Sequence, residues 1–152
     1  MAARSGGEGR VFLAGRPLVR NITVSDGSTL ALTDVVTGRE GHPGWPTPLG
    51  PFPVNALGTW HTGETVELYY EVSGLATGDR YRTTLEIIPL DPGNHDKVSV
   101  GADNQATGAV TRVRRSLGLG KLKGGVYRLV VTVETNDHRV TREQQILVLQ
   151  PE

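Results

Sequence analysis

The chain has 152 residues, one domain's worth, and its sixteen Lys+Arg balance sixteen Asp+Glu to a formal net charge of zero. That neutrality argues against bulk electrostatic binding to nucleic acid or an anionic membrane, and the absence of cysteine excludes disulfides, thiolate zinc sites, Fe–S clusters and a cysteine nucleophile. Val, Leu, Ile and Phe make up about 26 % of the residues, enough for a core of ordinary size, and no span approaches the ~18 apolar residues of a transmembrane helix.

Residues 1–15 begin Met1-Ala2-Ala3-Arg4-Ser5-Gly6-Gly7, with one early Arg and no apolar run behind it. This is not a secretory signal, and it reads as a flexible lead-in to a single domain over residues 16–152. Residues 18–24 and 28–36 are the first two candidate strands, separated by the turn-like Ser25-Asp26-Gly27. Residues 37–63 hold five of the nine prolines and six glycines. Proline lacks the amide donor that a central strand needs, so an irregular crossing is expected there. Period-two alternation then takes over. Val66, Leu68, Tyr70 and Val72 share one face, with Glu67, Tyr69 and Glu71 on the other; Tyr81, Thr83, Leu85 and Ile87 follow the same rule. The stretch 110–114 is more polar and suits a sheet edge. Tyr127, Leu129, Val131 and Val133 point inward from the next strand, and residues 140–149 form the last one after a tight turn at Asp137. Half-buried alternation without an intervening amphipathic helix predicts an all-β fold, a two-sheet antiparallel β-sandwich of seven to eight strands with one long Pro/Gly-rich loop.

Two segments share a further pattern. Leu122-Lys123-Gly124-Gly125-Val126-Tyr127 and Leu75-Ala76-Thr77-Gly78-Asp79-Arg80-Tyr81 each run from a Leu through a Gly-containing turn to a Tyr that opens a strand. This resembles the tyrosine corner of immunoglobulin-like and fibronectin-type-III-like sandwiches, and the resemblance implies that the Tyr81 and Tyr127 hydroxyls bond back to upstream backbone. Leu30-Ala31-Leu32-Thr33-Asp34-Val35-Val36, Pro53-Val54-Asn55 and Glu67-Leu68-Tyr69-Tyr70-Glu71-Val72-Ser73-Gly74-Leu75, in that order, resemble the β-sandwich region toward the C-terminus of bacterial exported GWxTD-domain-containing proteins. Gly44-Trp45-Pro46-Thr47-Pro48 lacks the Asp of the motif that gives those proteins their name, so the activity of that domain does not carry over. The resemblance implies an extracytoplasmic setting, in the periplasm or at the cell surface.

No nucleophile elbow, metalloprotease helix, P-loop or dinucleotide fingerprint is present. The four histidines share no spacing and read as exposed loop residues. Glu67 and Glu71 stand about 13 Å apart along a strand, too far for a retaining glycosidase pair. Asp91, Asn94 and Asp96 offer oxygen ligands that calcium could use, but a proline–glycine turn whose Asx side chains bond their own backbone explains them better. Arg112 and Arg114 lead a basic run with Arg115, Lys121, Lys123 and Arg128, and no acid falls between Asp103 and Glu134. Without interleaved aromatics this favours the wet face of an edge strand, or an acidic partner, over nucleic acid. Trp45, Phe52 and Trp60, with Tyr69, are the remaining candidates. Rings on a loop stack on sugars, grip a peptide, or fold down to seal an open end of the core, and sealing is the expected role. The chain is therefore expected to be a non-catalytic structural or protein-interaction module, with no cofactor, whose partner is another protein or another domain of the same polypeptide. A carbohydrate-binding module using the loop tryptophans, and an accessory domain of an enzyme, are the alternatives.

Overall fold

Side chains that alternate between a dry and a wet face build sheets, and this computed structural model, which describes residues 7–13, 16–22 and 29–150, contains thirteen strands and no helix among them. No helix is therefore long and apolar enough to cross a membrane among the described residues. In chain order the strands are β1 (Gly7–Leu13), β2 (Arg16–Ile22), β3 (Ala31–Leu32), β4 (Val36–Arg39), β5 (Gly44–Trp45), β6 (Phe52–Pro53), β7 (Thr59–His61), β8 (Thr65–Ser73), β9 (Arg80–Pro89), β10 (Val98–Gln105), β11 (Val110–Gly118), β12 (Gly125–Glu134) and β13 (Arg139–Leu149).

A five-stranded sheet runs β10-β9-β12-β13-β7, antiparallel except that β7 lies parallel to β13. A second sheet runs β11-β8-β3, with β4 also paired to β8. The two sheets enclose one core. Tyr81, Leu85, Ile87, Leu129, Val131, Val133, Ile146 and Val148 meet Leu32, Val66, Leu68, Tyr70, Val72, Val113 and Leu117 inside it. This is the expected all-β sandwich, and its inner faces are the ones that the alternation marks.

Three boundaries differ from expectation. Residues 7–13 are not lead-in but β1, paired antiparallel with β2 from Gly7↔Ile22 to Leu13↔Arg16. The register is that of a hairpin with two linking residues, and Val11-Phe12-Leu13 are good strand formers. Residues 1–6 and the turn expected at Ser25-Asp26-Gly27 lie outside the described residues. The strand expected over 28–36 is split: Leu32 pairs with Val72 but Val36 pairs with Tyr69, so four steps on one side face three on the other. That extra residue is a bulge. Thr33 fills it with side chain and backbone, its N donating to Glu71 O at 3.0 Å and its Oγ1 accepting from Glu71 N at 2.9 Å. Finally, the Pro/Gly crossing over 37–63 is built of short strands. Glycine and proline interrupt them every few residues, so none is long enough to show alternation.

Trp60 ends that crossing inside the core. It is 0 % exposed, stands opposite Val148 in the β7–β13 pairing, and its Nε1 donates to Gly38 O across the sandwich at 3.1 Å.

The Tyr127 hydroxyl donates to Lys123 O, four residues upstream, at 2.7 Å and accepts from Asn94 Nδ2 at 2.9 Å. Tyr127→Phe keeps the buried ring and removes both bonds, so it is expected to lower stability by about 1–3 kcal/mol, read as a lower urea midpoint at unchanged slope. Among the described residues Tyr81 makes no such corner. In its turn Ala76 O accepts from Asp79 N at 3.0 Å and Asp79 O accepts from Ala106 N at 2.8 Å. The Asp79 carboxylate closes that turn instead, accepting from Ala76 N at 2.9 Å. Burial pushes the Tyr81 hydroxyl pKa up against the opposing charge of Arg115, which reaches in from β11 to Asn104 Oδ1.

Candidate functional site

The outer face of β8 carries Glu67, Tyr69 and Glu71, and antiparallel pairing sets Ser116, Arg114 and Arg112 of β11 directly opposite them. Arg112 therefore faces Glu71 directly across the strands, and Arg114 meets Glu67 on the diagonal. Arg112 Nε lies 3.5 Å from Glu71 Oε2 and Arg114 Nη2 lies 3.6 Å from Glu67 Oε1. Ser116 Oγ donates to Glu67 Oε2 at 2.7 Å, and Tyr69 OH donates to Glu71 Oε2 at 2.7 Å. Burial and then the Glu71 carboxylate push the Tyr69 hydroxyl pKa up to about 12. The basic run of the sequence is thus not a free cationic patch at Arg112 and Arg114, because the acids that balance them come from β8.

A third layer lies on this face. β5 and β6 form a hairpin, Gly44↔Pro53 and Trp45↔Phe52, and the Gly38↔Val54 bridge anchors its outgoing strand to β4. Phe52, 1 % exposed, packs against Tyr69 with ring centroids 6.1 Å apart. The Arg114 guanidinium sits 5.1 Å above the Phe52 ring and donates from Nη1 to Pro51 O at 3.0 Å. Arginine over an aromatic face combines a cation–π attraction with a held carbonyl. Only glycine fits at position 38, where a Cβ would lie 2.5 Å from Pro53 O and 2.8 Å from the Phe52 ring.

The hairpin tip is closed by its own bonds. Thr47 N donates to Gly50 O at 3.2 Å, Gly50 N donates to Thr47 O at 2.9 Å, and Thr47 Oγ1 donates to Gly50 O at 2.6 Å. Gly50 takes φ +104°, a conformation in which a side chain would be strained. What this tip presents is apolar: Trp45 is 56 % exposed and Leu49 is 48 % exposed.

The structure therefore brings Trp45, Phe52, Tyr69, Arg112 and Arg114 to one face and leaves Trp60 out. Within that group the roles separate. Phe52 and Tyr69 are buried and hold the hairpin, whereas Trp45 stays exposed. Leu49 and Gly38 join the site without a signal of their own in the sequence, and Glu67 and Glu71, which the sequence offered only as a carboxylate pair, join it as the partners of Arg114 and Arg112. The signal that could have found the tip is Thr47-Pro48-Leu49-Gly50 flanked by Pro46 and Pro51, a turn with a proline at each shoulder.

The calcium candidates have other duties. Asp91 Oδ2 accepts from Val126 N at 3.1 Å, Asn94 Oδ1 accepts from Asp96 N at 3.0 Å, and Asp96 Oδ2 accepts from Lys123 N at 3.4 Å. They brace the Tyr127 corner from the neighbouring turn. Among the described residues no three His, Asp or Glu side chains gather as metal ligands would.

No protein-family model and no curated protein matches the chain. Among solved structures, the C-terminal domain of wzt is similar over 98 % of this chain and 83 % of that one, at 14 % identity and a TM-score of 0.49. A family 123 glycoside hydrolase from Clostridium perfringens is similar over 81 % of this chain and 28 % of its own, at 9 % identity and a TM-score of 0.43.

Proposed function

We propose that this chain is a non-catalytic β-sandwich module that binds another protein, or another domain of its own polypeptide, through the hairpin tip of Trp45 and Leu49, in the extracytoplasmic setting that the sequence resemblance implies. The observation that carries this is the exposed Trp45 on a hairpin whose opposite strand is immobilised by buried Phe52. A large ring held in place loses little entropy on binding, which is why tryptophan so often anchors interfaces. The paired charges of Arg112, Glu71, Arg114 and Glu67 supply the polar rim that such an anchor usually has. A two-tryptophan platform for sugars would need Trp60 at the surface, and Trp60 is inside.

Panning a random-peptide display library on the wild type and on Trp45→Ala tests this. Selected peptides are expected to bind the wild type and to lose about thirtyfold or more in affinity on the variant. The variant's melting transition should barely move, because the side chain is largely in water. Trp45-dependent signals on a glycan array without any peptide binding would hand the site to carbohydrate instead. Peptides that bind both proteins equally would remove the hairpin tip as the contact.

A further inference from the structure

A sheet edge exposes a row of unpaired backbone groups, and natural sheets blunt it with lysine, proline, bulges or inward charges. β11, an edge of the smaller sheet, is blunted in this way: it carries Arg112, Arg114 and Arg115. β10, the outer strand of the larger sheet, is not. Its sequence, VSVGADNQ, has neither proline nor lysine, and its pairing with β9 runs through eight consecutive pairs without a bulge. Among the described residues no strand pairs with its other side.

The residues along that edge are self-complementary when read in opposite directions. With Val100 facing a second Val100, Val98 meets Ala102, Ser99 meets Gly101, and Lys97, next before the strand, meets Asp103. We propose that β10 pairs antiparallel with β10 of a second copy of this chain about a two-fold axis at Val100, joining two five-stranded sheets into one of ten.

Three observations support that register. Residues opposed in it are an even number of positions apart, so each pair shares a sheet face and a hydrogen-bonding sense, as antiparallel pairing requires. On the inner face, Val100 stands opposite Leu85 of β9, which is buried, yet Val100 itself is 46 % exposed. The second copy's Val100 covers it. On the outer face each terminal charge is already half of a pair, Lys97 Nζ lying 2.9 Å from Glu86 Oε2 and Arg82 Nη1 lying 3.0 Å from Asp103 Oδ1. The two-fold axis sets these pairs side by side, so that Glu86, Lys97, Asp103 of the second copy and Arg82 of the second copy alternate in sign across the junction. A shift of the register by two residues loses that match.

Charge exchange tests the proposal on the full chain by sedimentation equilibrium. The wild type is expected to dimerise reversibly. Asp103→Lys alone opposes two lysines at each end of the junction and Lys97→Glu alone opposes two acids, so each should weaken dimerisation about tenfold or more. An equimolar mixture of the two variants restores both opposite-charge pairs and is expected to dimerise as the wild type does. A wild type that stays monomeric at millimolar concentration overturns the proposal. So does either variant self-associating as tightly as the wild type, or a mixture of folded variants that remains monomeric. Hydrogen exchange of the β10 amides in the wild type needs no variant. Outward-facing amides should slow as concentration rises, and amides that stay fast in a dimeric sample would place the contact elsewhere. Trp45→Ala should dimerise normally, which separates this edge from the hairpin tip.

Discussion

Trp60→Ala is expected to cost about 3–5 kcal/mol of folding stability, a large part of the 5–15 kcal/mol that holds a typical domain. The ring is fully buried, so its removal leaves a cavity among side chains of both sheets. It also removes the Nε1 bond to Gly38 O, and that carbonyl belongs to β4 of the smaller sheet while Trp60 sits in β7 of the larger. Packing loss and an orphaned acceptor therefore act together. Trp60→Phe separates them: it keeps most of the filled volume and loses the bond, for about 1–3 kcal/mol. Urea melts give both values. The emission spectrum offers an internal check, since Trp60→Ala leaves only the exposed Trp45 and should emit like a solvated indole while still folded. A Trp60→Ala midpoint equal to that of the wild type would show that the ring is not a structural element at all.

Gly74→Ala is expected to be comparably damaging, about 3–5 kcal/mol, from overpacking added to backbone strain. Gly74 follows β8 with φ +88°, and a Cβ there would lie 1.9 Å from Thr29 O, 2.4 Å from Thr29 C and 2.9 Å from Leu30 N. These are backbone atoms leading into β3, which pairs with the end of β8, so they cannot rotate away as a side chain could. Gly63 is the control. It has the same φ of +88° but nothing within 4 Å of the added atom, so Gly63→Ala pays only for the left-handed conformation, about 1–2 kcal/mol. The difference between the two melts measures the clash alone, and equal melts would show that strand β3 does not press on Gly74.

The long strands were legible in the sequence because burial on one face forces their alternation. Val66, Leu68, Tyr70 and Val72, and likewise Leu129, Val131 and Val133, lie in the core where the period-two pattern puts them. β10 was not legible, because a strand with only one neighbour and a partly uncovered inner face has little reason to alternate. Its Gly101, Asp103 and Asn104 look like loop residues. The bulge at Thr33 was hidden for a different reason, since it shifts the facing pattern by one residue within a single run. At the site, residue types pointed to Trp45 and Phe52, but only the packing of the hairpin on the sandwich decides that Phe52 is covered by Tyr69 while Trp45 stays exposed. Trp60 shows the same limit: its type cannot tell a platform from a plug. The glutamates that balance Arg112 and Arg114 lie some forty residues away in the chain, so a local tally of charge exaggerates the basic run.

The parallel pairing of β7 with β13 has a consequence for the order of events during biosynthesis. Trp60 finds its strand neighbour, Val148, only once the last of the described strands, β13, has been made. Until then the indole has no groove to enter, and closing so long a loop makes this pairing one of the slower steps. The newborn chain must keep that ring from foreign surfaces while it waits.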